Sequence, residues 1–502
     1  MALEELSMDN NQNLNDQELV RREKLQKYKD FKVDPFGHAF KVTHSSQQIR
    51  DLFSKKSPAS LERNKPYVQV AGRIKAIRRM GKASFMNIQD KTGNIQVYMG
   101  IDVVGKKAYE LFKLADIGDI VGVYGRIMKT RSGELTIRAE KYTHLTKCLH
   151  PLPEKFHGLV DVEERSRRRY LDLIVNDESR KVAFARPKLI RSIQSYLDEQ
   201  GFVEVETAVL SPILGGANAR PFVAHMNALD KDFYLRIATE LNLKRLLVGG
   251  MERVYEIGRL FRNEGMDATH NPEFTTIEAY QAYGDLQSMR KLAEGLIRKV
   301  AKDVTGSDIV TYQGKEINFH KPFRWISMAD LILEKTGVDF RNIYDFEAAK
   351  KLAEEKGIKL EKHKNTVGHV MNEFFEEFCE ADLIQPTFVY SYPIEVSPLT
   401  KKGKDPRYTE RFELFVNGNE LANAYTELND PFDQKERFLA QLKAKELGDE
   451  EANEMDNDFI EALEYGMPPA GGIGMGIDRL TMLLTDQANV REVILFPMMK
   501  DR

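Results

Sequence analysis

From Tyr67 to about Lys147 the apolar residues recur at every second position. Val68, Val70, Ile74 and Ala76 alternate with polar residues, as do Met86 and Ile88. Ile95, Val97 and Met99 follow the turn Asp90-Lys91-Thr92-Gly93, and short apolar runs at 119–124 and 135–139 flank Ser132-Gly133. Roughly five short strands with glycine turns over about 80 residues predict a small β-barrel. The period then changes. Pro187 in a first helical turn and Gly201 at the end predict a helix whose face carries Leu189, Ile190, Ile193, Tyr196 and Leu197. Strands are expected at 202–209, 233–238, 253–262 and 273–283, and again at 387–397 and 411–427. Residues 285–384 read as a mostly helical insertion, and a glycine-rich turn at 470–476 leads into a last helix.

Flanking composition sets the remaining boundaries. Residues 1–60 combine an Asn- and Gln-rich lead-in with a basic run, Arg21, Arg22, Lys24, Lys27, Lys29 and Lys32, that would form a stripe on a helix. The barrel takes 61–147. Residues 148–180, with Pro151, Pro153 and the charged run Glu163–Arg169, read as a linker or hinge, and 181–502 form one large domain.

Of 502 residues, 42% are hydrophobic and 30% charged, enough apolar material for sizeable cores and too much for disorder. No run of 18 uncharged apolar residues occurs, so no membrane helix is expected, and the acidic N-terminus is unlike a secretory signal. Cys148 and Cys379 are the only cysteines, which excludes a disulfide framework or zinc cluster and fits a reducing cytoplasm. Seventy-four basic against 77 acidic residues leave −3. Bulk charge therefore does not drive polyanion binding; a local patch must.

Such a patch is legible on the barrel. Strand alternation turns Phe85, Asn87, Gln89, Gln96 and Tyr98 outward, beside Arg73, Lys75, Arg78, Arg79 and Lys82. Aromatic platforms next to cations suit single-stranded nucleic acid. In the large domain, Arg262 and Glu264 would share one strand face, and Phe274, Thr276, Glu278 and Tyr280 another. Further on, Glu413, Glu420 and Asn423 cannot share a face in a plain hairpin; either a bulge intervenes or one carboxylate points elsewhere. The segment GGIGMGIDRL, Gly471 to Leu480, lacks P-loop spacing. Its informative part is Asp478-Arg479, because a buried guanidinium usually meets a carboxylate or phosphate.

Together these pieces resemble the three ordered motifs of the class II aminoacyl-tRNA synthetases. Motif 1 corresponds to the helix 187–200 and the strand ending at Ser211-Pro212. Motif 2 runs from Phe261-Arg262-Asn263-Glu264 through Phe274 to Glu278, and motif 3 ends at Arg479. A preceding OB-fold marks the subclass for aspartate, asparagine and lysine. Ile213-Leu214-Gly215-Gly216-Ala217, Arg236 to Leu241 and Glu427-Leu428-Asn429-Asp430 resemble the bacterial lysyl-tRNA synthetases most. One departure is Asn218, where that pattern has serine.

The resemblance implies an OB-fold followed by an α+β catalytic domain on an antiparallel sheet, a cytoplasmic homodimer, and a ligase that activates L-lysine with ATP and charges tRNA(Lys). It assigns Arg262 to the α-phosphate and the lysine carboxylate. Arg479 with His270 goes to the γ-phosphate, Phe274 to adenine with Glu264 near its amino group, and Asn271 to the nucleotide. Glu413 and Glu420 would hold Mg2+. Gly216, Glu240 and Glu278 suit the α-amino end of lysine; Tyr280, Asn423, Tyr425 and Glu427 suit its side chain. Phe85, Gln96, Glu134 and Arg78 would meet the anticodon. Competing readings are a non-catalytic RNA-binding relative, an enzyme lysylating protein, and asparaginyl or aspartyl activity. The site residues, the barrel and the acid at Glu427, respectively, weigh against them.

Overall fold

The structure is a computed structural model that describes residues 14–153, 159–217, 219–448 and 454–501. The lead-in 1–13, part of the expected linker (154–158) and Asn218 lie outside the described residues. The chain forms two compact units, Met1–Gly158 and Leu159–Arg502.

In the first unit, β1 (Tyr67–Met80), β2 (Ala83–Asp90), β3 (Gly93–Gly100), β4 (Ile120–Lys129) and β5 (Leu135–Thr146) close a barrel in the order β1-β2-β3-β5-β4. Val68, Val70, Ile74, Met86, Ile88, Ile95, Val97 and Met99 fill its interior, as their alternation predicts. A bulge in β1 between Ile74 and Ala76 resets the phase. Ala76 is therefore not an inward residue; Ile77 packs on the core instead, and Arg78 is turned out opposite Phe85. Helix α1 (Asp16–Asp30) begins at an Asn15 capping box with Glu18. Its basic stripe is only partly free. Arg21 donates to the Cys148 carbonyl at 2.9 Å, Lys24 pairs with Asp116 at 2.6 Å, and Lys32 lies beyond the helix.

The second unit is built on eight strands: β6 (Val203–Glu204), β7 (Arg253–Phe261), β8 (Glu273–Ala282), β9 (Arg324–Ser327), β10 (Thr387–Tyr390), β11 (Arg411–Val416), β12 (Asn419–Thr426) and β13 (Ala470–Gly476). Their order is β9-β10-β11-β12-β13-β8-β7-β6, antiparallel except for a parallel pair at each edge. One face is covered by α2 (Asp177–Glu199), α4 (Leu286–Thr305) and α5 (Ile477–Thr485); α3 (Glu240–Val248) packs elsewhere, in a smaller core with Val254 and Tyr280. Leu189, Ile193 and Leu197 meet Leu292, Leu296, Ile277 and Ile473 in the main core.

Three expectations change. Helix α2 begins ten residues before Pro187, which lies inside it. A proline there removes one backbone donor, but the buried stripe on either side holds the helix. The expected linker holds helices at Val162–Arg167 and Arg169–Val175, pinned where Arg165 and Arg169 converge on buried Asp172. Residues 285–384 are not a separate helical piece, because α4 covers the sheet and β9 extends it. The apolar stripe of the motif 1 helix packs inside the chain.

Candidate active site

Opposite residues in an antiparallel sheet share a face, so the register lines up two rows across the uncovered side. One row reads Arg411, Tyr425, Gly472, Tyr280; the next reads Glu413, Asn423, Gly474, Glu278. Glycine in the central strand leaves a floor without side chains between two polar walls. Above it opens a cavity of about 530 Å3. Its wall includes Gly216, Glu240, Arg262, Glu264, His270, Asn271, Phe274, Glu278, Tyr280, Glu413, Glu420, Asn423, Tyr425 and Arg479. All but one of the residues expected at the catalytic site therefore line a single cavity. The exception, Glu427, is fully buried behind the wall.

The hairpin question is resolved by a bulge. Glu413 faces Asn423, but Phe415 faces Glu420, with the register shifting between Leu414 and Phe415. The extra residue on β12 flips the phase of the strand, so all three polar residues reach the cavity. Arg411 anchors this corner, donating to Asn423 Oδ1 at 3.0 Å and to Glu413 Oε1 at 2.5 Å. Burial pushes the Glu413 carboxyl up; Arg411 opposes that shift and Glu420 reinforces it. Two neighbouring carboxylates, one resisting ionisation, fit a hard divalent cation that completes its shell with phosphate oxygens and water.

Arg262 and Glu264 are not on a strand: β7 stops at Phe261 and both sit in the loop that follows. The Arg262 guanidinium stacks 5.3 Å from the centre of the Phe274 ring. Its Nε is buried without a hydrogen-bond partner among the described residues. A half-buried guanidinium with an unmatched nitrogen facing a cavity suits a carboxylate or phosphate. His270 faces Asp267 Oδ2 through Nδ1 at 2.8 Å and Arg479 through Nε2 at 3.3 Å. Arg479 also donates to the Glu420 carbonyl at 2.7 Å. It is half-exposed rather than buried; the buried member of the pair is Asp478, which accepts from Thr275 N at 2.8 Å and pairs with Arg186. Asn271 donates to the Glu273 carbonyl at 2.6 Å and so fixes the loop.

At the other end the cavity is acidic. Glu278 accepts from Thr239 N and from the Tyr280 hydroxyl, both at 3.1 Å, and burial with Glu240 nearby pushes its carboxyl up to about 7. The Tyr425 hydroxyl donates to Glu240. Glu427 meets the ammonium of Lys244 through Oε2, while Oε1 has no hydrogen-bond partner among the described residues. That free oxygen lies over the glycine floor: a Cβ on Gly472 would come within 2.0 Å of it. Gly216, with φ of +93°, takes a conformation that side chains rarely adopt. Lys244, Arg411, Asp267 and Gly472 escape sequence reasoning. Only the Glu240–Lys244 spacing of four on a helix was a usable signal.

On the barrel, Arg78, Phe85 and Tyr98 form one outward row. Phe85 packs edge-on to Tyr98 at 5.3 Å, and the Arg78 guanidinium lies 5.9 Å from its ring centre. Gln96 and Gln89 are buried rather than open to solvent. Gln96 accepts from Arg78 at 3.0 Å and donates to Thr136 at 2.9 Å, so it is held in place beneath the aromatic row. Glu134 is exposed in the turn before β5.

Comparison with known proteins agrees with this geometry. Residues 161–500 match the model of class II tRNA synthetases (D, K and N), and residues 68–145 match that of the OB-fold nucleic acid binding domain. The chain is 57% identical to a lysine–tRNA ligase of Streptococcus suis, over 99% of this chain and 100% of the relative. It is 57% identical to one of Streptococcus sanguinis, over 97% and 98%, and 56% identical to one of Lactococcus lactis subsp. cremoris, over 97% and 99%. Among the described residues no helix is long and apolar enough to cross a membrane. With its motif residues gathered in one cavity and the family model covering most of its length, the chain belongs to the class II tRNA synthetases.

Proposed function

We propose that this chain joins L-lysine to the 3′ end of tRNA(Lys), using ATP. The observation that carries the choice of amino acid is the Glu427 oxygen without a partner, buried against Gly472 at the end of a cavity walled by Glu240 and Glu278. A substrate with two ammonium groups suits that end, and its carboxylate suits Arg262. Aspartate or asparagine would bring no side-chain cation to meet Glu427.

The lysine carboxylate attacks the α-phosphorus of ATP, the bond to pyrophosphate breaks, and lysyl-adenylate forms. The terminal ribose hydroxyl of tRNA then attacks the lysyl carbonyl and releases AMP. No enzyme nucleophile is needed; catalysis is alignment and charge neutralisation. Arg262 bridges the carboxylate and the α-phosphate. Arg479, oriented by Glu420 and by the Asp267–His270 pair, takes the γ-phosphate. Hydrogen bonding to His270 and to the loop backbone, against some burial, holds the Asp267 carboxyl well below its usual range, so it stays charged beside the imidazole. Phe274 stacks on adenine, with Glu264 at its amino group and Asn271 holding the loop. Glu413 and Glu420 would hold Mg2+, which neutralises phosphate charge when bound. Arg78 and Phe85, with Gln96 beneath them and Glu134 in the turn, serve the anticodon.

A cytoplasmic homodimer completes the reading. Its support is a set of exposed apolar residues in and after α2, namely Phe184, Val203, Val209, Leu210, Val223 and Leu229, together with the prevalence of two-fold assemblies. The test is charging of total deacylated tRNA with labelled lysine. Label should enter only tRNAs with the lysine anticodon; label on protein, or on none, contradicts the proposal.

A further inference from the structure

Lys244 is a fully buried lysine behind the acidic end of the cavity. It stands four residues after Glu240 on α3. Its ammonium lies 2.5 Å from Glu240 Oε1, touches Glu427 Oε2, and sits 5.4 Å from the centre of the Tyr425 ring. The Leu399 carbonyl oxygen is 3.5 Å away. Burying a cation is costly unless it is fully matched, and here both matching carboxylates are residues assigned above to the substrate. Among the described residues, the titratable groups facing this point belong to three elements. Helix α3 supplies Glu240 and Lys244, β8 supplies Glu278 and Tyr280, and β12 with the residue after it supplies Tyr425 and Glu427.

Charge counting gives the arrangement a purpose. Once all three are ionised, three carboxylates against one resident ammonium leave two negative charges, which match the two ammonium groups of bound lysine. Without Lys244, three carboxylates would share one buried pocket, and repulsion would drive a proton onto at least one of them. Glu427 is the most exposed to that fate. Burial already pushes its carboxyl up, Lys244 pulls it back, and Glu240 and Glu278 push with the burial. Burial opposes the charge on Lys244 itself, but Glu240 and Glu427 outweigh it and hold the ammonium above the usual lysine range.

We propose that Lys244 is a positioning residue for amino-acid selection, a resident ammonium that bridges Glu240 and Glu427, favours the charged form of Glu427 and aims its free oxygen at the substrate. The proposal rests on the lysine reading of this pocket. One oxygen of Glu427 belongs to the protein's own cation and the other faces the substrate, so the selecting carboxylate is oriented before lysine arrives, and the Lys244 ammonium opposes the burial that favours its neutral form.

The test is Lys244→Met, which keeps an unbranched side chain one atom shorter and removes its charge, with Lys244→Arg as the charge-retaining variant. ATP–pyrophosphate exchange from pH 6.5 to 8.5 gives KM for lysine and for ATP. In Lys244→Met, lysine must displace a proton, which costs about tenfold in KM per pH unit below the carboxylate pKa. The midpoint of the KM–pH curve for lysine should rise by about one unit or more, with KM at pH 7 raised roughly tenfold or more and KM for ATP within about twofold. Lys244→Arg should keep the wild-type midpoint even if its larger head group alters KM. An unshifted midpoint in Lys244→Met overturns the proposal, and so does a parallel rise in both KM values at every pH with a lowered Tm. Lys244→Gln, which still donates to one carboxylate, takes the place of the methionine variant should that one not fold; a raised midpoint supports the proposal and an unshifted one overturns it. Wild-type exchange with lysine is the separate control. Its absence removes the lysine reading itself, whereas wild-type use of lysine beside an unshifted Lys244→Met removes only the role given to Lys244.

Discussion

A single methyl group at Gly472 should close the lysine pocket. A Cβ there would stand 2.0 Å from Glu427 Oε1 and 2.5 Å from Tyr280 Cε1. Glu427 is 0% exposed and Tyr280 3%, and the Tyr280 hydroxyl is tied to Glu278, so neither can swing away into solvent. The overlap exceeds an ångström when set against the 3.4 Å at which ordinary contacts begin. Forcing a methyl group into such a site costs about 1–3 kcal/mol. Taken from lysine binding, that is roughly a 5- to 150-fold rise in KM for lysine. Pyrophosphate exchange with lysine and ATP varied in turn is the assay, because Phe274 and Arg479 line the cavity without touching Gly472. Gly474→Ala is the companion variant. Its Cβ meets nothing nearer than Glu278 Cγ at 3.7 Å, so it should keep wild-type thermal stability and separate crowding from unfolding. A folded Gly472→Ala with KM for lysine within about twofold of wild type would refute the steric reasoning.

Glu427→Gln keeps the size of the side chain but leaves two ammonium groups, that of Lys244 and that of the substrate, without their carboxylate. A loss of about 3–5 kcal/mol for an unmatched buried charge predicts a fall in kcat/KM for lysine of about 10²-fold or more, and an unchanged value in exchange would show that Glu427 is not the selector. The Glu278 carboxyl, at about 7, binds an ammonium only when ionised. KM for lysine should therefore rise as pH falls from 7.5 to 6, by up to about tenfold per unit below the pKa; a KM that falls over the same range contradicts this. Phe85→Ala removes the stacking surface of the barrel and should raise KM for tRNA by roughly ten- to a hundredfold, from about 1–3 kcal/mol per stacked base. Lysine activation should stay the same, and equal discrimination between native and altered anticodons by wild-type and variant proteins would reject the anticodon role.

The parts of this molecule legible in its sequence are those where one short-range rule dominates. Alternation alone fixes which of Met86, Ile88, Ile95 and Val97 face the barrel interior, because a strand has only two sides. The row of Phe274, Thr276, Glu278 and Tyr280 is readable for the same reason. Bulges defeat the rule. The phase change in β1 moves Ala76 out and turns Ile77 in, and the one between Leu414 and Phe415 brings Glu420 beside Glu413. Neither leaves a local mark in composition. The start of α2 is hidden because its first turns are mostly polar, and Pro187 imitates a helix start. Gln96 reads as solvent-facing, yet its amide is held by Arg78 and Thr136 from other strands. Lys244 is hardest, since a lysine in a helix is ordinarily a solvated residue. Only the meeting of α3 with Glu427 beyond β12 makes it the buried counter-charge of the pocket.

ATP–pyrophosphate exchange against all twenty amino acids probes the acidic pocket most directly, because it isolates activation from tRNA binding. Lysine should support exchange well above every other amino acid, with aspartate and asparagine at background. Exchange driven by aspartate or asparagine, or by no amino acid at all, would contradict the assignment of Glu240, Glu278 and Glu427 to the two ammonium groups of lysine.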